Sequence, residues 1–302
     1  MQPLTYAQTH HDKFLEELKA FLRVPSISTQ AEHKADIERA AVWLRDALLD
    51  VGFPRAEVMS TTGHPIVYAD WMAAGADAPT VLVYGHYDVQ PPDPVELWRT
   101  PPFEPTVADD DLFARGASDD KGQVFVHLKA VEAFKATVGA PPVNLKCIFE
   151  GEEEIGSPSF NPFVYAHTDL LAADVALISD THILGMDTPT IVYALRGLAY
   201  LEVKVTGPDH DLHSGIYGGA VLNPINALCR MIAQLQDANG RITIPGFYDK
   251  VRALDPAERA ELAKLPFDHT TWLEEAGVKA DWGEPGYTVV ERTSARPTLD
   301  VN

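Results

Sequence analysis

His86 and Asp88 stand two residues apart in TVLVYGHYDV, at the end of a short apolar run rich in β-branched residues. A second run, LKCIFEGEEE, ends in Glu150, Glu152, Glu153 and Glu154, and a third, DVALISD, ends in Asp180. Asp119 lies in RGASDDKG, just ahead of a helical pattern. One imidazole with several carboxylates is a borderline-to-hard donor set, better suited to zinc, manganese or cobalt than to calcium. Clustered carboxylates repel one another unless cations lie between them. A carboxylate in excess of the ligands can then act as base toward an activated water. Each piece alone says little. A His-x-Asp at a strand end is more often structural, a Glu triplet is usually a solvated helix start, and DDKG reads equally well as a turn feeding a helix. Their joint occurrence carries the signal.

Groups of this kind converge only if a scaffold brings them together. Apolar residues recur at helical spacing over 11–23, 36–51 and 121–136, with Gly52 as a stop signal. Short apolar runs at 66–71, 80–84, 143–149 and 174–178 read as buried strands. The alternation predicts an α/β domain over 1–192, with a mostly parallel or mixed central sheet flanked by helices. In such sheets the ligand crevice lies outside the carboxyl ends of the strands, where three of these runs end. From 193 to 302 the texture changes. Residues 197–206 (GLAYLEVKVT) alternate as a strand with one solvated face, a helix is expected over roughly 222–237, and 250–284 reads as helical in pieces. These predict a second, smaller α+β domain. Asp109, Asp110 and Asp111 read as a solvated turn.

Composition limits the partners. The 302 residues carry 44 acidic against 24 basic side chains, a formal charge of −20. Such a surface repels phosphate backbones and anionic lipid, so neither nucleic acid nor a membrane is an expected partner. Cys147 and Cys229 are far apart in sequence and both read as buried free thiols, which fits a reducing, cytoplasmic setting. The N-terminus lacks a basic region followed by an apolar core, so no signal peptide is expected.

Taken together, VYGHYDVQP, LFARGASDDKG, FEGEEEIGS, LISD and DLHSGIYGG resemble the metallopeptidase family of aminoacylase, succinyl-diaminopimelate desuccinylase, carboxypeptidase G and the carnosinases. They occur in the family's order along the chain. YGHYDVQPP, the EG-x-EE-x-GS segment and ALRG followed by DLHSGIYGG are most similar to the carnosinase and cytosolic non-specific dipeptidase branch. The resemblance implies a ferredoxin-like lid and dimerisation domain after the catalytic one, two divalent cations (zinc first, manganese or cobalt as alternatives), and a homodimer acting on dipeptides or small peptides. It implies that His86 and Asp180 bind the first metal, that Asp119 bridges both, and that Glu154 binds the second. Glu153 is implied as general base toward a shared water, with Glu152 a bystander. Asp88 is implied to orient His86, and His213 to stabilise the oxyanion across the dimer. A cis peptide between Asp119 and Asp120 is implied as well.

Members of the family are longer, and their return to the catalytic domain carries the last histidine ligand of the second metal and the residues that read the substrate carboxylate. The chain is therefore read as lacking its carboxyl-terminal part, since TSARPTLDVN resembles the start of a strand. Two other readings stay open: an N-acyl amino acid deacylase of the same family, and a non-catalytic remnant that binds metal or dimerises.

Overall fold

The apolar run LKCIF becomes the middle strand of a five-stranded sheet, and its neighbours explain why that run is apolar on both faces. The computed structural model describes residues 1–185 and 188–302. The chain divides into two units, Met1–His182 and Ile183–Asn302. In the first unit the elements run α1 (Pro3–Thr9), α2 (His11–Leu22), α3 (Lys34–Val51), β1 (Arg55–Met59), β2 (Ile66–Trp71) and β3 (Thr80–His86). A small hairpin of β4 (Thr106–Ala108) and β5 (Asp111–Phe113) follows, then α4 (Lys121–Val138), β6 (Asn144–Glu150), α5 (Phe160–Ala166), α6 (Thr168–Leu171) and β7 (Val175–Ile178).

The main sheet has the order β1-β2-β6-β3-β7. β1 and β2 are antiparallel to each other, β2 is antiparallel to β6, and β6, β3 and β7 run parallel. The sheet is thus mixed, with a parallel half that carries the candidate ligands. Alternate residues feed opposite layers. Val67, Ala69 and Trp71 of β2 and Cys147 and Phe149 of β6 pack with Leu44 and Leu48 of α3 and Leu128 of α4. Ile66, Tyr68 and Ile148 face the other way, toward Phe163 of α5 and Leu171 of α6. Helix α3 buries Ile37, Ala40, Ala41, Leu44, Leu48 and Val51, one stripe at helical spacing. It stops at Gly52, whose φ of 112° is a left-handed conformation that a side chain would disfavour.

The helices expected at 11–23, 36–51 and 121–136 and the four expected strands are all present within a few residues, but the strand at 174–178, expected to be buried, is exposed throughout as β7, because it sits at the edge of the sheet. Asp109 and Asp110 adopt positive φ in the turn joining β4 to β5, and Asp111 opens β5. The short strands β1, β4 and β5 have no strong apolar pattern and were not expected.

The second unit contains α7 (Ser214–Tyr217), α8 (Pro224–Ile232), α9 (Pro256–Leu262), α10 (His269–Ala276) and α11 (Val289–Ser294). Two expectations are corrected there. Residues 197–206 form no strand: alternation is necessary for one, but a ladder needs a neighbour, and among the described residues none pairs with this segment. Leu198 and Leu201 are 90% and 86% exposed. Cys229 is exposed rather than buried, because α8 buries none of its residues, and only Cys147 is a buried thiol. Helix α8 is also shorter than expected; Asn223 caps it, its side chain accepting from the N–H groups of Ile225 and Asn226.

Candidate metal centre at the carboxyl edge of the sheet

Strand register brings the candidate ligands to one edge. His86 of β3 stands opposite Glu150 of β6, and Tyr84 of β3 opposite Ile178 of β7. Two residues past Ile178, Asp180 therefore reaches the level of His86, and its Oδ2 lies 3.7 Å from His86 Nε2. Asp119 arrives from the loop ahead of α4, its Oδ1 3.0 Å from the same nitrogen. That loop lies tightly on the helix: a Cβ on Gly122 would fall 1.9 Å from the Ala117 carbonyl oxygen, so only glycine fits there. The Asp119–Asp120 peptide is cis. His86, Asp119 and Asp180 each offer one ligand atom, all within 4.8 Å of one another.

Below this group the polar contacts are dense. Nδ1 of His86 faces two acceptors of Asp88, the carbonyl oxygen at 3.1 Å and Oδ1 at 3.3 Å. That assigns the proton to Nδ1 and turns Nε2 toward the acids. The carboxylate of Asp88, itself fully buried, also accepts the N–H groups of Glu153 (3.3 Å) and Glu154 (3.2 Å). Asp88 thus joins the imidazole to the single 3-10 turn Glu153–Ile155. Gln90 donates to Glu154 Oε2 at 2.8 Å and to the Glu154 carbonyl oxygen at 3.2 Å.

Glu150, one of the run-end acids, and Glu152, read as a bystander, take structural parts here, as do Asp120 and Lys121. Glu152 is buried and its two carboxylate oxygens accept the N–H groups of His64 and Ser159, which anchors the turn on both sides. Glu150 is 2% exposed, with Oε1 accepting from Tyr84 and Ser157 and Oε2 unpartnered. Asp120 accepts the His86 backbone N–H on Oδ2 and leaves Oδ1 buried without a partner. Lys121 is fully buried, and its ammonium donates to the Val24 carbonyl at 2.7 Å. Unlike these, Gln90 carried a legible signal, as the third member of the alternating series His86, Asp88, Gln90.

The electrostatics are those of crowded acids without enough positive charge. Burial pushes the carboxyls of Glu153, Glu154 and Asp180 upward, with further pushes from the acids around them. Burial likewise raises Glu150 and Asp120 to about 7. Burial pulls His86 down, but the hydrogen bond and charge of Asp88, with Asp120 and Asp180 behind, outweigh it and raise the imidazole to about 10. Burial lowers Lys121 to about 7. A divalent cation at Nε2 would displace a proton and relieve the repulsion among the acids, so this donor set fits one. Glu153 and Glu154 lie beside the three-residue group but outside it. His213 belongs to the second unit, where it is exposed and its Nδ1 accepts the Gly215 N–H at 3.0 Å.

The similarities of the chain agree with this chemistry. It is 35% identical over 259 residues to a Cys-Gly metallodipeptidase of Schizosaccharomyces pombe, covering 82% of this chain and 54% of that protein. It is 34% identical over 267 residues to the human Beta-Ala-His dipeptidase, covering 84% of this chain and 52% of that one. Among solved structures it resembles an M20 family metallo-carboxypeptidase of Sulfolobus solfataricus, with a TM-score of 0.77 and 34% identity over 94% of this chain and 64% of that one. The chain thus spans about half the length of these curated relatives. With His86, Asp119 and Asp180 placed where they could hold a metal ion and residues 82–298 matching the model of peptidase family M20/M25/M40, the chain belongs to that family.

Proposed function

We propose that this protein contributes the cation-binding and proton-transfer residues of a metal-dependent peptidase that hydrolyses the amide bond of dipeptides or small peptides. The observation that carries this reading is the convergence of His86 Nε2, Asp119 and Asp180 within 4.8 Å, in a chain whose relatives include metallodipeptidases. His86 and Asp180 would hold a first divalent cation, Asp119 would bridge to a second, and Glu154 would bind that second one. Zinc suits the donor set, and manganese or cobalt would use the same ligands. Bound cations supply Lewis-acid chemistry, polarising the scissile carbonyl and making water a stronger acid.

The chain's own groups do the rest. Asp88 holds His86 by Nδ1 and fixes the turn that bears Glu153. Glu153 takes a proton from the attacking water on its carboxylate and passes it to the leaving amine. Burial raises its pKa, which helps a carboxylate accept and return a proton near neutrality. The first unit is read as catalytic, and the second as lid and dimerisation domain, from which His213 would donate to the oxyanion in a partner subunit. An exposed Cys229 left as a free thiol fits a reducing cytoplasm; no described helix is long and apolar enough to cross a membrane.

A turnover assay on metal-loaded protein tests the reading. The panel comprises free dipeptides, N-acyl amino acids and longer peptides. Dipeptide cleavage that is lost on chelation, and cut by about 10²–10⁴-fold in Glu153→Ala, is the expected result. Preferential release of acyl groups would make the protein a deacylase instead, and near-normal kcat in Glu153→Ala would remove that residue from the chemistry.

A further inference from the structure

Strand β3 does not end its influence at His86. The chain continues extended, with the Tyr87 N–H donating to Glu150 O at 2.9 Å and the Val89 N–H to Ser26 O at 2.9 Å. Tyr87 and Val89 are buried in the core, so His86, Asp88 and Gln90 alternate onto the opposite side. Two of these three already have roles in the proposed centre: His86 as a ligand and Asp88 as the group that orients it. Gln90 spends both N–H groups of its amide on one residue, Glu154, at Oε2 and at the main-chain carbonyl. The Glu154 N–H is in turn held by Asp88.

We infer that Gln90 is a positioning residue for the second cation, clamping Glu154 so that Oε1 is the oxygen presented to the metal. The inference rests on the reading of Glu154 as a ligand given above. A clamp here must be a neutral donor. A lysine would bring a charge competing with the cation, and a glutamate would repel Glu154. An amide also donates twice in a fixed plane, gripping side chain and main chain together and restricting rotation of the carboxylate. Outer partners of this kind typically set metal affinity by about 10–100-fold.

The test is calorimetric titration of the metal-free full chain with Mn²⁺ and with Zn²⁺, comparing the native sequence with Gln90→Met and Glu154→Gln. Methionine keeps the length of the side chain and removes both donors. The expected result is two binding events in the native chain, with the weaker one reduced about 10–100-fold in Gln90→Met and the tighter one unchanged. Glu154→Gln should reduce the same event. Loss in Glu154→Gln with native affinities in Gln90→Met would overturn the clamp and leave the ligand reading intact. Native affinities in both variants, or a single event in the native chain, would overturn the reading of Glu154 and the clamp with it. Thermal unfolding of each metal-free variant guards against a folding defect. If Gln90→Met melts early, Gln90→Asn, too short to reach Glu154, is expected to show the same selective loss.

Discussion

The two units are built on different kinds of contact. The first has a sheet whose strands β2 and β6 are packed on both faces, and its core residues (Phe21, Ile37, Leu44, Leu48 and Phe149 among them) are fully removed from solvent. In the second, the buried hydrophobic residues among those described are Ile242 and Val289 alone. Its buried groups are as often charged. Glu291 binds Arg259 and closes a capping box with Thr288, and Arg296 pairs with Glu284 while lying over the Tyr287 ring. The difference teaches that a rigid, apolar scaffold stands where ligand geometry must be held to tenths of an ångström. Every candidate metal ligand belongs to that first unit, and His213 is the candidate site residue that does not.

The contrast can be broken at its strongest point first. Leu44→Ala removes a fully buried side chain from the first unit and is expected to cost about 2–5 kcal/mol in urea unfolding; a cost near zero would mean that the layer between α3 and the sheet is not the main core. A smaller effect concerns buried charge. Folded Glu150 keeps its proton to about 7, whereas in the unfolded chain it releases it near the ordinary value of 4.5. Between those values the folded state binds more protons, so stability falls as pH rises through that window. The metal-free native chain should therefore lose up to about 3 kcal/mol across it relative to Glu150→Gln, and identical pH profiles would contradict the burial of that carboxyl. Glu152→Ala strands the N–H groups of His64 and Ser159 and should cost about 1–3 kcal/mol, read from the midpoint of denaturation. In the second unit, Glu291→Ala removes a cap and an ion pair, for about 1–2 kcal/mol. Leu198→Ala should change stability by less than about 0.5 kcal/mol. A larger loss at Leu198 than at Glu291 would reverse the view that polar contacts hold the second unit.

Legibility in the sequence followed the same division. Where apolar runs were long and bounded, as at Ile66–Trp71, Thr80–His86 and Lys121–Val138, pattern alone located the element, because burial on both sides demands a continuous apolar stretch. The runs at 80–84, 143–149 and 174–178 pointed to His86, Glu150 and Asp180 as neighbours, since parallel strands deliver their carboxyl ends to one edge. The segment 197–206 misled because alternation records a side-chain preference, while a strand also needs a partner for its backbone. The parts played by Glu152, Glu150 and Asp120 were hidden for another reason. Their partners are backbone N–H groups and hydroxyls, several of them (His64, Tyr84 and His86) distant in sequence, and no spacing rule encodes which acid in a cluster turns inward.

The central claim is that the carboxyl edge of the sheet is a cation site, and anomalous diffraction from crystals loaded with zinc tests it most directly. The expected result is an anomalous peak at about 2.0–2.2 Å from His86 Nε2 and from carboxylate oxygens of Asp119 and Asp180, absent in His86→Ala crystals. Zinc found only elsewhere on the chain, or no peak in fully loaded native crystals, would contradict it.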